Sequence, residues 1–514
     1  MSLGYTVEAV SNVKATGYDG ILLISYNGAS DESVPQELKD VIKEAAALDD
    51  QFEEEISVHK VNLPSKRLFY APTGPINPEY HDVRLFSEAA RKGIIRAVKA
   101  GVKAPLLVLG KYPSFPQSQL VSLLGVMEGL YVNLQYREDC PSKSPKVNKL
   151  GVLSPASPSV ARLISVATAL ETGRIVARDI GGPDPERMTP QRVEKYVKET
   201  FPAGGNVKVE VVSDENTLTK EYPLFSAVNR AASEIERHKG RIVYLTYEGS
   251  NVTDTLLIVG KGVTYDTGGA DIKVGGAMLG MCRDKCGAAA AAGFMKVVSI
   301  LKPENLKVIA GLSLVRNSCG ENSYVADEII TSRAGKRIRI VNTDAEGRMA
   351  MADVLCYMKD IAKKAVNPHL FTIATLTGHA FRTVGNGYTI ALDNGPARQK
   401  SFAQLLQKTG EVVGDMFEVS TIRREDYEAY KGKTEGEDVI QAESLPSAQC
   451  KRGHQGPAAF LIMASGLEKH GLDSTDVKLY YTHLDIAASA GAFPEQATAC
   501  PVLGLAANYL SVHS

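Results

Sequence analysis

The stretch KRIRIVNTDAEGRMAMADVLCYMKDIAKK, residues 336–364, places three charged side chains between an apolar run and a helical pattern. Asp344, Glu346 and Arg348 follow one another at intervals of two residues. Residues two apart in an extended backbone point to the same side of a strand. We therefore predict that both carboxylates face one ligand at the end of a strand over 336–343. Arg348 would lie in the first turn of the next helix, where free backbone N–H groups favour an anion.

Apolar strand-like runs alternate with helical patterns along the chain. The predicted strands are 19–27, 66–74, 105–110, 241–249, 255–262, 307–315, 336–343, 370–378 and 478–487. The predicted helices are 88–101, 118–134, 164–180, 287–301, 346–364 and 456–471. Such alternation is typical of sheets covered by helices. We predict an α/β fold with two domains, each a mostly parallel or mixed sheet covered by helices, the C-terminal domain being larger.

The length of 514 residues exceeds what a single hydrophobic core usually supports. Residues 137–159 are rich in Pro, Ser and Lys, which indicates a linker or a surface loop. A helical pattern follows and is broken by GGPDPERMTP. We therefore expect an N-terminal α/β domain for assembly or regulation over 1–160, a connecting helix and linker over 161–185, and a C-terminal domain over 186–514.

The composition narrows the class of protein. Apolar residues make up 44% and charged residues 23%, which is typical of a globular chain, and the formal net charge is −1. That balance gives no reason to expect nucleic acid or an anionic membrane as a partner. The seven cysteines are scattered, the first residues lack a signal-peptide pattern, and no apolar run reaches the ~20 residues that span a bilayer. We expect a cytoplasmic protein.

Charged residues recur near the ends of the predicted strands, where ligands bind in such sheets. They are Lys261, Asp266, Lys273, Asp284, Asp344, Glu346 and Arg348. Four carboxylates close together cannot all stay ionised without compensation, and divalent cations supply it. Two adjacent metal ions can polarise a carbonyl and activate water, which indicates hydrolysis. None of the nine histidines lies in these segments and HExxH is missing, so a single-zinc protease is disfavoured.

These residues resemble the leucyl aminopeptidase (cytosol aminopeptidase) family. NTDAEGR is the complete signature heptapeptide of that family, and GKGVTYDTGGADIK resembles its other hallmark block. ATLTG and HLDIA resemble two further blocks. In this sequence the four blocks occupy residues 342–348, 260–273, 374–378 and 483–487. The similarity covers 170–514 well, and the N-terminal domain only in general layout.

The resemblance implies two divalent metal ions per subunit. Asp266, Asp344 and Glu346 would hold the more exchangeable ion. Lys261, Asp266, Asp284 and Glu346 would hold the other, with Lys261 neutral because the neighbouring cation lowers its pKa. Zn²⁺ is the expected metal, with Mn²⁺, Co²⁺ or Mg²⁺ as alternatives at the exchangeable site.

The resemblance also implies the catalytic residues, the substrate pocket and the activity. Lys273 would stabilise the oxyanion, and Arg348 would hold a bicarbonate that serves as general base. The substrate pocket would be lined by Met281, Asn342, Thr375, Thr377 and Gly378. The expected function is removal of the N-terminal residue, Leu and other apolar residues preferred, from peptides with a free N-terminus during peptide catabolism. The expected assembly is a homohexamer with the catalytic domains inside.

The sequence also departs from the family pattern. Other residues are usual in the family at four places: Ala270 with Asp271, Lys285, the segment 315–329, and His454 with Gln455. An alternative is therefore a catalytically weak or inactive structural or binding homologue that keeps the fold, although every proposed metal ligand is retained. A regulatory role on nucleic acid is disfavoured by the near-neutral chain.

The histidines and cysteines near the motifs leave alternatives open. His379 follows TLTG, and the sequence alone leaves open whether it contacts substrate or is structural. His483 is expected to pack or hydrogen-bond near the site rather than bind metal. Cys282 and Cys286 are expected to be small packing residues rather than a metal pair.

Overall fold

The computed structural model of the chain describes residues 3–153, 158–510 and 512. The chain forms two compact units. The first comprises Met1–Thr172, Thr409–Asp415 and Ser511–Ser514, and the second comprises Gly173–Lys408 and Met416–Leu510. Each contains a mixed sheet with helices, so the predicted fold class is confirmed. None of the described helices combines the length and the apolar character needed to cross a membrane.

The first unit is built on a six-stranded sheet. Its strands are β1 Thr6–Val10, β2 Gly20–Ser25, β3 Ser57–Lys60, β4 Arg67–Pro72, β5 Pro105–Leu109 and β6 Lys149–Leu153. Its helices are α1 Gln36–Ala46, α2 Arg84–Lys99, α3 Ser118–Leu130 and α4 Leu134–Asp139, and α5 Pro158–Gly181 leads into the second unit. The strand order is β1-β6-β5-β2-β4-β3, and all pairs are parallel except β3 with β4.

The second unit has more helices. They are α6 Pro190–Thr200, α7 Glu215–Glu221, α8 Pro223–Asn229, α9 Cys286–Leu301, α10 Glu346–Ala362, α11 Gly378–Val384, α12 Gly395–Gln399, α13 Phe402–Val413, α14 Arg424–Tyr430, α15 Gln455–Ala464 and α16 Val502–Tyr509. Helix α13 extends from this unit into the part of the chain that belongs to the first.

The strands of the second unit form a large and a small sheet. They are β7 Val207–Val212, β8 Arg241–Glu248, β9 Asp254–Asp266, β10 Leu306–Asn317, β11 Ile329–Thr331, β12 Arg337–Arg339, β13 Pro368–Ala374, β14 Tyr388–Asp393, β15 Met416–Thr421, β16 Val439–Ile440 and β17 Tyr480–Asp485. The large sheet has the order β15-β14-β17-β13-β9-β10-β8-β7, and β11, β12 and β16 form the small one.

Four neighbouring strands in the middle of the large sheet, β17, β13, β9 and β10, run parallel to one another. Their apolar residues are buried on both faces; in β9, for example, Leu256, Leu257, Ile258 and Val259 are each at most 1% exposed. Such unbroken apolar runs are typical of strands covered on both sides. Because the four strands are parallel, their carboxyl ends meet at one edge of the sheet, which bears Asp266, Asn317 and Asp485.

Two secondary-structure predictions are wrong in detail. The strand predicted over 336–343 is only β12, which ends at Arg339, and the signature residues that follow form a turn. The segment 137–159 is not a plain linker, because it contains the end of α4 and the parallel strand β6. Residues 154–157 of that segment lie outside the described residues. The sequence pattern also does not predict strands β1, β3, β6, β7, β11, β14, β15 and β16, since none of them has a long apolar run.

Candidate active site

All twelve predicted site residues line one cavity of the second unit. Its volume is about 570 Å³. The residues are Lys261, Asp266, Lys273, Met281, Asp284, Asn342, Asp344, Glu346, Arg348, Thr375, Thr377 and Gly378. The structure therefore brings together residues that are more than a hundred positions apart in the sequence.

The carboxylates reach the cavity from four different local structures. Asp266 is the last residue of β9, and Asp284 lies on a 3₁₀ turn, Met281–Lys285, immediately before α9. Asp344 lies in a turn, and Glu346 is the first residue of α10. Parallel strands that end at one edge, followed by helices, thus place all four carboxylates at the carboxyl edge of the sheet.

The turn that carries Asp344 is closed by its own polar groups. The backbone N–H of Ala345 donates to the carbonyl of Asn342 over 3.1 Å, and the N–H of Asp344 donates to the side-chain oxygen of Asn342 over 2.8 Å. The prediction that alternation along an extended strand aims Asp344 and Glu346 is wrong. The turn and the start of the helix aim them instead.

Gln441 holds this turn from a distant part of the chain. Its side-chain nitrogen donates to the carbonyls of Asn342 and Ala345 over 2.7 and 2.9 Å. Its side-chain oxygen accepts from the N–H groups of Val341 and Asn342 at 3.2 and 3.0 Å. Gln441 is fully buried. These four hydrogen bonds fix the backbone of the turn, and nothing in the sequence near 441 signals the contact.

Each of two lysines contacts two of the four carboxylates. Lys261 Nζ lies 2.7 Å from Asp284 Oδ1 and 3.0 Å from Glu346 Oε1. Lys273 Nζ lies 2.9 Å from Asp266 Oδ2 and 2.5 Å from Asp344 Oδ1. The two ammonium groups balance two of the four negative charges when all four carboxylates are ionised, so the cluster keeps a demand for further positive charge.

The pKa values of the site residues indicate the same need for further positive charge. Burial, and then the charge of Asp266, raise the pKa of Glu346 well above its ordinary value. Burial and Asp266 also raise the pKa of Asp344, to about 6. Burial alone would lower the pKa of Lys261, but the neighbouring carboxylates of Asp284 and Glu346 outweigh it and raise that pKa. A cation bound among the carboxylates would reverse these shifts.

The donor set fits a divalent cation. Asp266, Asp284 and Glu346 are buried, and each offers a carboxylate oxygen such that these oxygens lie within 4.8 Å of one another. Asp284 Oδ2 is buried and has no hydrogen-bond partner among the described residues. Unpaired buried carboxylate oxygens are costly, and coordination is one way to satisfy them. Asp344 lies outside this three-residue group but lines the same cavity.

Gly347 is required by the close approach of Lys261. A Cβ at position 347 would lie 2.4 Å from Cε and 2.7 Å from Nζ of Lys261, and both distances are shorter than real Cβ contacts. Any side chain there would push the ammonium group away from Asp284 and Glu346. The glycine of NTDAEGR therefore has a packing reason.

Arg348 lies in the first turn of α10, as the sequence predicts. Its Nη1 donates to the hydroxyl of Tyr430 over 3.2 Å and to the carbonyl of Gln441 over 3.0 Å. The guanidinium also lies 5.7 Å from the ring centre of Tyr430 and 5.9 Å from that of Phe460. Its Nε is buried without a hydrogen-bond partner among the described residues. This buried donor therefore still lacks an acceptor among these residues.

The threonines of ATLTG position the cavity wall. Thr375 Oγ1 donates to Asp284 Oδ1 over 2.7 Å, and the carbonyl of Thr375 accepts from Lys261 Nζ at 3.0 Å. Thr377 Oγ1 donates to Asp485 Oδ2 over 2.6 Å. Asp485 is the aspartate of HLDIA at the end of β17, so the two blocks meet at neighbouring strand ends.

His379, His454 and His483 each have a polar side-chain partner. His379 Nδ1 lies 2.7 Å from Nδ1 of His454, whose Nε2 lies 2.8 Å from the hydroxyl of Ser420. His483 is buried and its Nδ1 lies 2.7 Å from the hydroxyl of Thr372. His379 thus has a side-chain partner in His454, while its contact with substrate stays an open question.

Two departures from the family pattern also have defined contacts. The backbone N–H of Asp271 donates to the hydroxyl of Thr343 over 2.8 Å, and Asp271 Oδ2 accepts from the N–H of Thr343 at 2.7 Å. This pair joins the loop that carries Lys273 to the signature turn. Lys285 is fully buried, and its Nζ donates to the carbonyls of Pro183, over 3.0 Å, and Cys282.

Sequence reasoning missed Asn317, Gln441 and Arg283. Asn317 contacts Asp266, and its position at the end of a buried strand could have indicated it. Arg283 lines the cavity beside Asp284. It stands out only once its surroundings are known.

Comparison with known proteins identifies relatives of the chain. A sequence model of the cytosol aminopeptidase family, catalytic domain, matches residues 175–506. The Caenorhabditis elegans protein W07G4.4, provisionally named an aminopeptidase, is 44% identical over 460 residues, which cover 89% of this chain and 87% of that relative. A protein of Cenarchaeum symbiosum, provisionally named a cytosol aminopeptidase, is 28% identical over 93% of this chain and 91% of its own.

Solved structures share the fold. A mutant of the tomato leucine aminopeptidase has a TM-score of 0.79 and 20% identity, covering 99% of this chain and 96% of its own. The bottromycin maturation enzyme BotP in complex with Mn has a TM-score of 0.76 and 21% identity, covering 96% of this chain and 100% of its own. At such identities the likeness shows the fold alone.

Proposed function

Because the chain belongs to the cytosol aminopeptidase family and is therefore a peptidase of the hydrolase class, we propose that it uses two divalent metal ions to remove the N-terminal residue of peptides. The observation that carries this proposal is the group of three buried carboxylates, Asp266, Asp284 and Glu346, whose oxygens lie within 4.8 Å of one another. A buried acidic group of this kind is stable only with compensating positive charge.

The proposed ligands are those that the cavity brings together. Asp266, Asp344 and Glu346 would hold the exchangeable ion, and Lys261, Asp266, Asp284 and Glu346 the other. Lys261 Nζ lies 2.7 Å from Asp284 Oδ1 and 3.0 Å from Glu346 Oε1, which supports a shared coordination site. Zn²⁺ is the proposed metal, with Mn²⁺, Co²⁺ or Mg²⁺ at the exchangeable position. When bound, the ions would supply Lewis-acid polarisation of the scissile carbonyl and of water.

The residues of the chain would divide the remaining work. Lys273 Nζ, now 2.5 Å from Asp344 Oδ1, would donate to the substrate oxygen that gains negative charge. Arg348 would hold a bicarbonate through its Nε, which has no hydrogen-bond partner among the described residues, and its contacts to Tyr430 and Gln441 would orient that anion. Met281, Asn342, Thr375, Thr377 and Gly378 would line the peptide's binding site.

The apolar part of the cavity supports a preference for Leu and other apolar N-terminal residues. Ala277, Leu279, Met281, Phe381, Leu445 and Phe493 contribute to its wall. Leu279 is 75% and Phe381 51% exposed, so apolar surface is available to a substrate side chain. Burying such a side chain contributes about 1.5–3 kcal/mol.

Location, assembly and domain roles belong to the same proposal. We propose a cytoplasmic enzyme of peptide catabolism that assembles as a homohexamer. In it, residues 1–160 would serve assembly or regulation, 161–185 would connect the two domains, and 186–514 would carry the catalytic site. Sedimentation of the purified chain at several concentrations measures the assembly directly.

Hydrolysis of a leucine amide fluorogenic substrate tests the function. The purified protein is assayed as isolated, after chelation, and after addition of Zn²⁺, Mn²⁺ or Co²⁺. We expect activity to vanish with the chelator and to return with metal. A folded protein that binds metal but cleaves no substrate in a panel of N-terminal residues would instead support an inactive homologue that keeps the fold.

A further inference from the structure

Arg283 is a buried cation on the wall of the cavity. The residue is 9% exposed, and it lies on the 3₁₀ turn Met281–Lys285, next to Asp284. One nitrogen, Nη2, donates to the main-chain carbonyl of Glu495. The other two, Nε and Nη1, are buried and have no hydrogen-bond partner among the described residues.

Arg283 also lacks an ion pair within the described part of the chain. The four carboxylates of the cluster are contacted by Lys261 and Lys273 instead. Arg230 and Arg333 offer a contrast, since each has a single unpartnered nitrogen and pairs with a carboxylate, that of Glu328 or Glu221. Two donors of the buried Arg283 guanidinium therefore have no acceptor among the described residues. None of the carboxylates of these residues contacts it either.

The surroundings of Arg283 favour a ligand that is part apolar and part anionic. Leu279, Met281 and Phe493 line the same cavity and supply apolar surface. A guanidinium offers donors in a planar fork that matches a carboxylate. Two buried donors without partners attract an acceptor strongly, because leaving them unpaired costs free energy.

On this basis, and resting on the proposed aminopeptidase function, we propose that Arg283 is a specificity-determining residue that admits peptides whose N-terminal residue carries a side-chain carboxylate, glutamate above all. The methylene groups of glutamate would contact the apolar wall, and its carboxylate would accept hydrogen bonds from the guanidinium of Arg283. The cavity would thus accept acidic N-terminal residues in addition to apolar ones.

The first experiment compares substrates that differ only in this group. Aminomethylcoumarin amides of Leu, Gln and Glu are hydrolysed by the metal-loaded wild type and by Arg283→Met and Arg283→Lys. The Gln substrate has the shape of Glu without its charge. We expect Arg283→Met to lower the ratio of kcat/KM for Glu to that for Gln by about 10- to 100-fold. We expect Arg283→Lys to lower this ratio less than Arg283→Met does.

A control variant and a second carboxylate source sharpen the result. Arg230→Met removes an arginine outside the cavity and should leave the Glu/Gln ratio unchanged. The dipeptide Leu-Gly and its amide test whether Arg283 instead binds a C-terminal carboxylate. If Arg283→Met changes the Leu-Gly to Leu-Gly-amide ratio and spares the Glu/Gln ratio, the side-chain assignment is wrong.

A binding measurement separates this inference from the function on which it rests. Calorimetric titration of the metal-loaded full chain with L-glutamate and L-glutamine should show tighter binding of glutamate, lost in Arg283→Met. Equal binding of the two by wild type, or an unchanged Glu/Gln ratio while Leu is cleaved, overturns the role of Arg283. Absence of all hydrolysis, with glutamate preference retained, would overturn the proposed function and leave the binding role of Arg283 supported.

Discussion

Asn317 Nδ2 donates a hydrogen bond of 2.8 Å to Asp266 Oδ1 and another of 3.1 Å to the main-chain carbonyl of Thr343. Asn317 ends β10 and Asp266 ends β9, so one buried amide joins two strand ends to the signature turn. The amide occupies one oxygen of Asp266 and leaves the other facing the cluster. Groups that orient a metal ligand in this way affect metal affinity without touching the metal.

The first prediction concerns this amide. Asn317→Leu should weaken metal binding by about 10- to 100-fold, because Asp266 loses the donor that fixes its orientation. Titration of the metal-free protein with Zn²⁺, followed by calorimetry, measures the change. Asn206→Ala, which removes an exposed amide bonded to the carbonyl of Ser299, is the control and should bind metal as wild type does. Equal affinity in both variants would show that Asn317 only packs the strand ends.

Gly347→Ala should reduce kcat by at least about 100-fold while the fold is kept. The new Cβ would lie 2.4 Å from Lys261 Cε, so the lysine must leave its position between Asp284 and Glu346, and a displacement of this order in an active site carries such a loss. Steady-state kinetics and circular dichroism measure the two effects. Gly320→Ala is the matched control, because its Cβ would meet nothing closer than 3.8 Å. Full activity of Gly347→Ala would contradict the requirement for glycine.

Glu346→Gln should abolish activity and remove the stabilisation by metal. With wild type, metal at a hundred times its Kd should add about 2.7 kcal/mol to the free energy of unfolding. The variant should lose most of that gain, because a neutral amide replaces a carboxylate of the buried group. Thermal unfolding with and without chelator measures it, with the exposed Glu321→Gln as control. A variant that turns over substrate normally would rule out Glu346 as a ligand.

The histidine pair predicts a dependence of stability on pH. Burial, and then the charge of His379, lower the pKa of His454 to about 4 from an ordinary 6.5. The unfolded state therefore binds a proton at a higher pH than the folded state. The contribution of His454 to stability is complete above pH 6.5 and is lost as the pH falls towards 4.

His454→Gln should flatten this dependence between pH 6.5 and 4. Urea unfolding at several pH values measures the slope. His81→Gln, in the first unit, is the control and should keep the wild-type slope. An identical slope in His454→Gln and wild type would mean that other groups, such as the buried His369 and His483, whose pKa values burial also lowers, account for the whole effect.

The sequence was sufficient for the parts of the site that depend on local pattern. The unbroken apolar run over 256–259 predicts a strand covered on both faces, and that strand ends at Asp266. The motifs predict which side chains gather, and all of them line one cavity. The first result depends on residues that are close together in the chain. The second depends on motifs that follow one another in the order known for the family.

The rest depends on contacts between distant residues. The turn that aims Asp344 is held by Gln441, 99 positions after Asn342, and a lone glutamine has no pattern of its own. Arg283 is notable because its described neighbours leave two donors unpaired. That property belongs to the folded wall of the cavity, so the residue alone could not reveal it.

The hydrogen bonds between Gln441 and the signature turn have a consequence for synthesis of the protein on the ribosome. The turn cannot acquire its four hydrogen bonds until Gln441 has been translated. Strand β17, which lies between β13 and β14 in the large sheet, is the last of the described strands along the chain. A nascent chain that already carries the whole of NTDAEGR therefore still lacks a finished site. Because of this order of residues along the chain, the hydrolase site is completed only when its sheet is nearly complete.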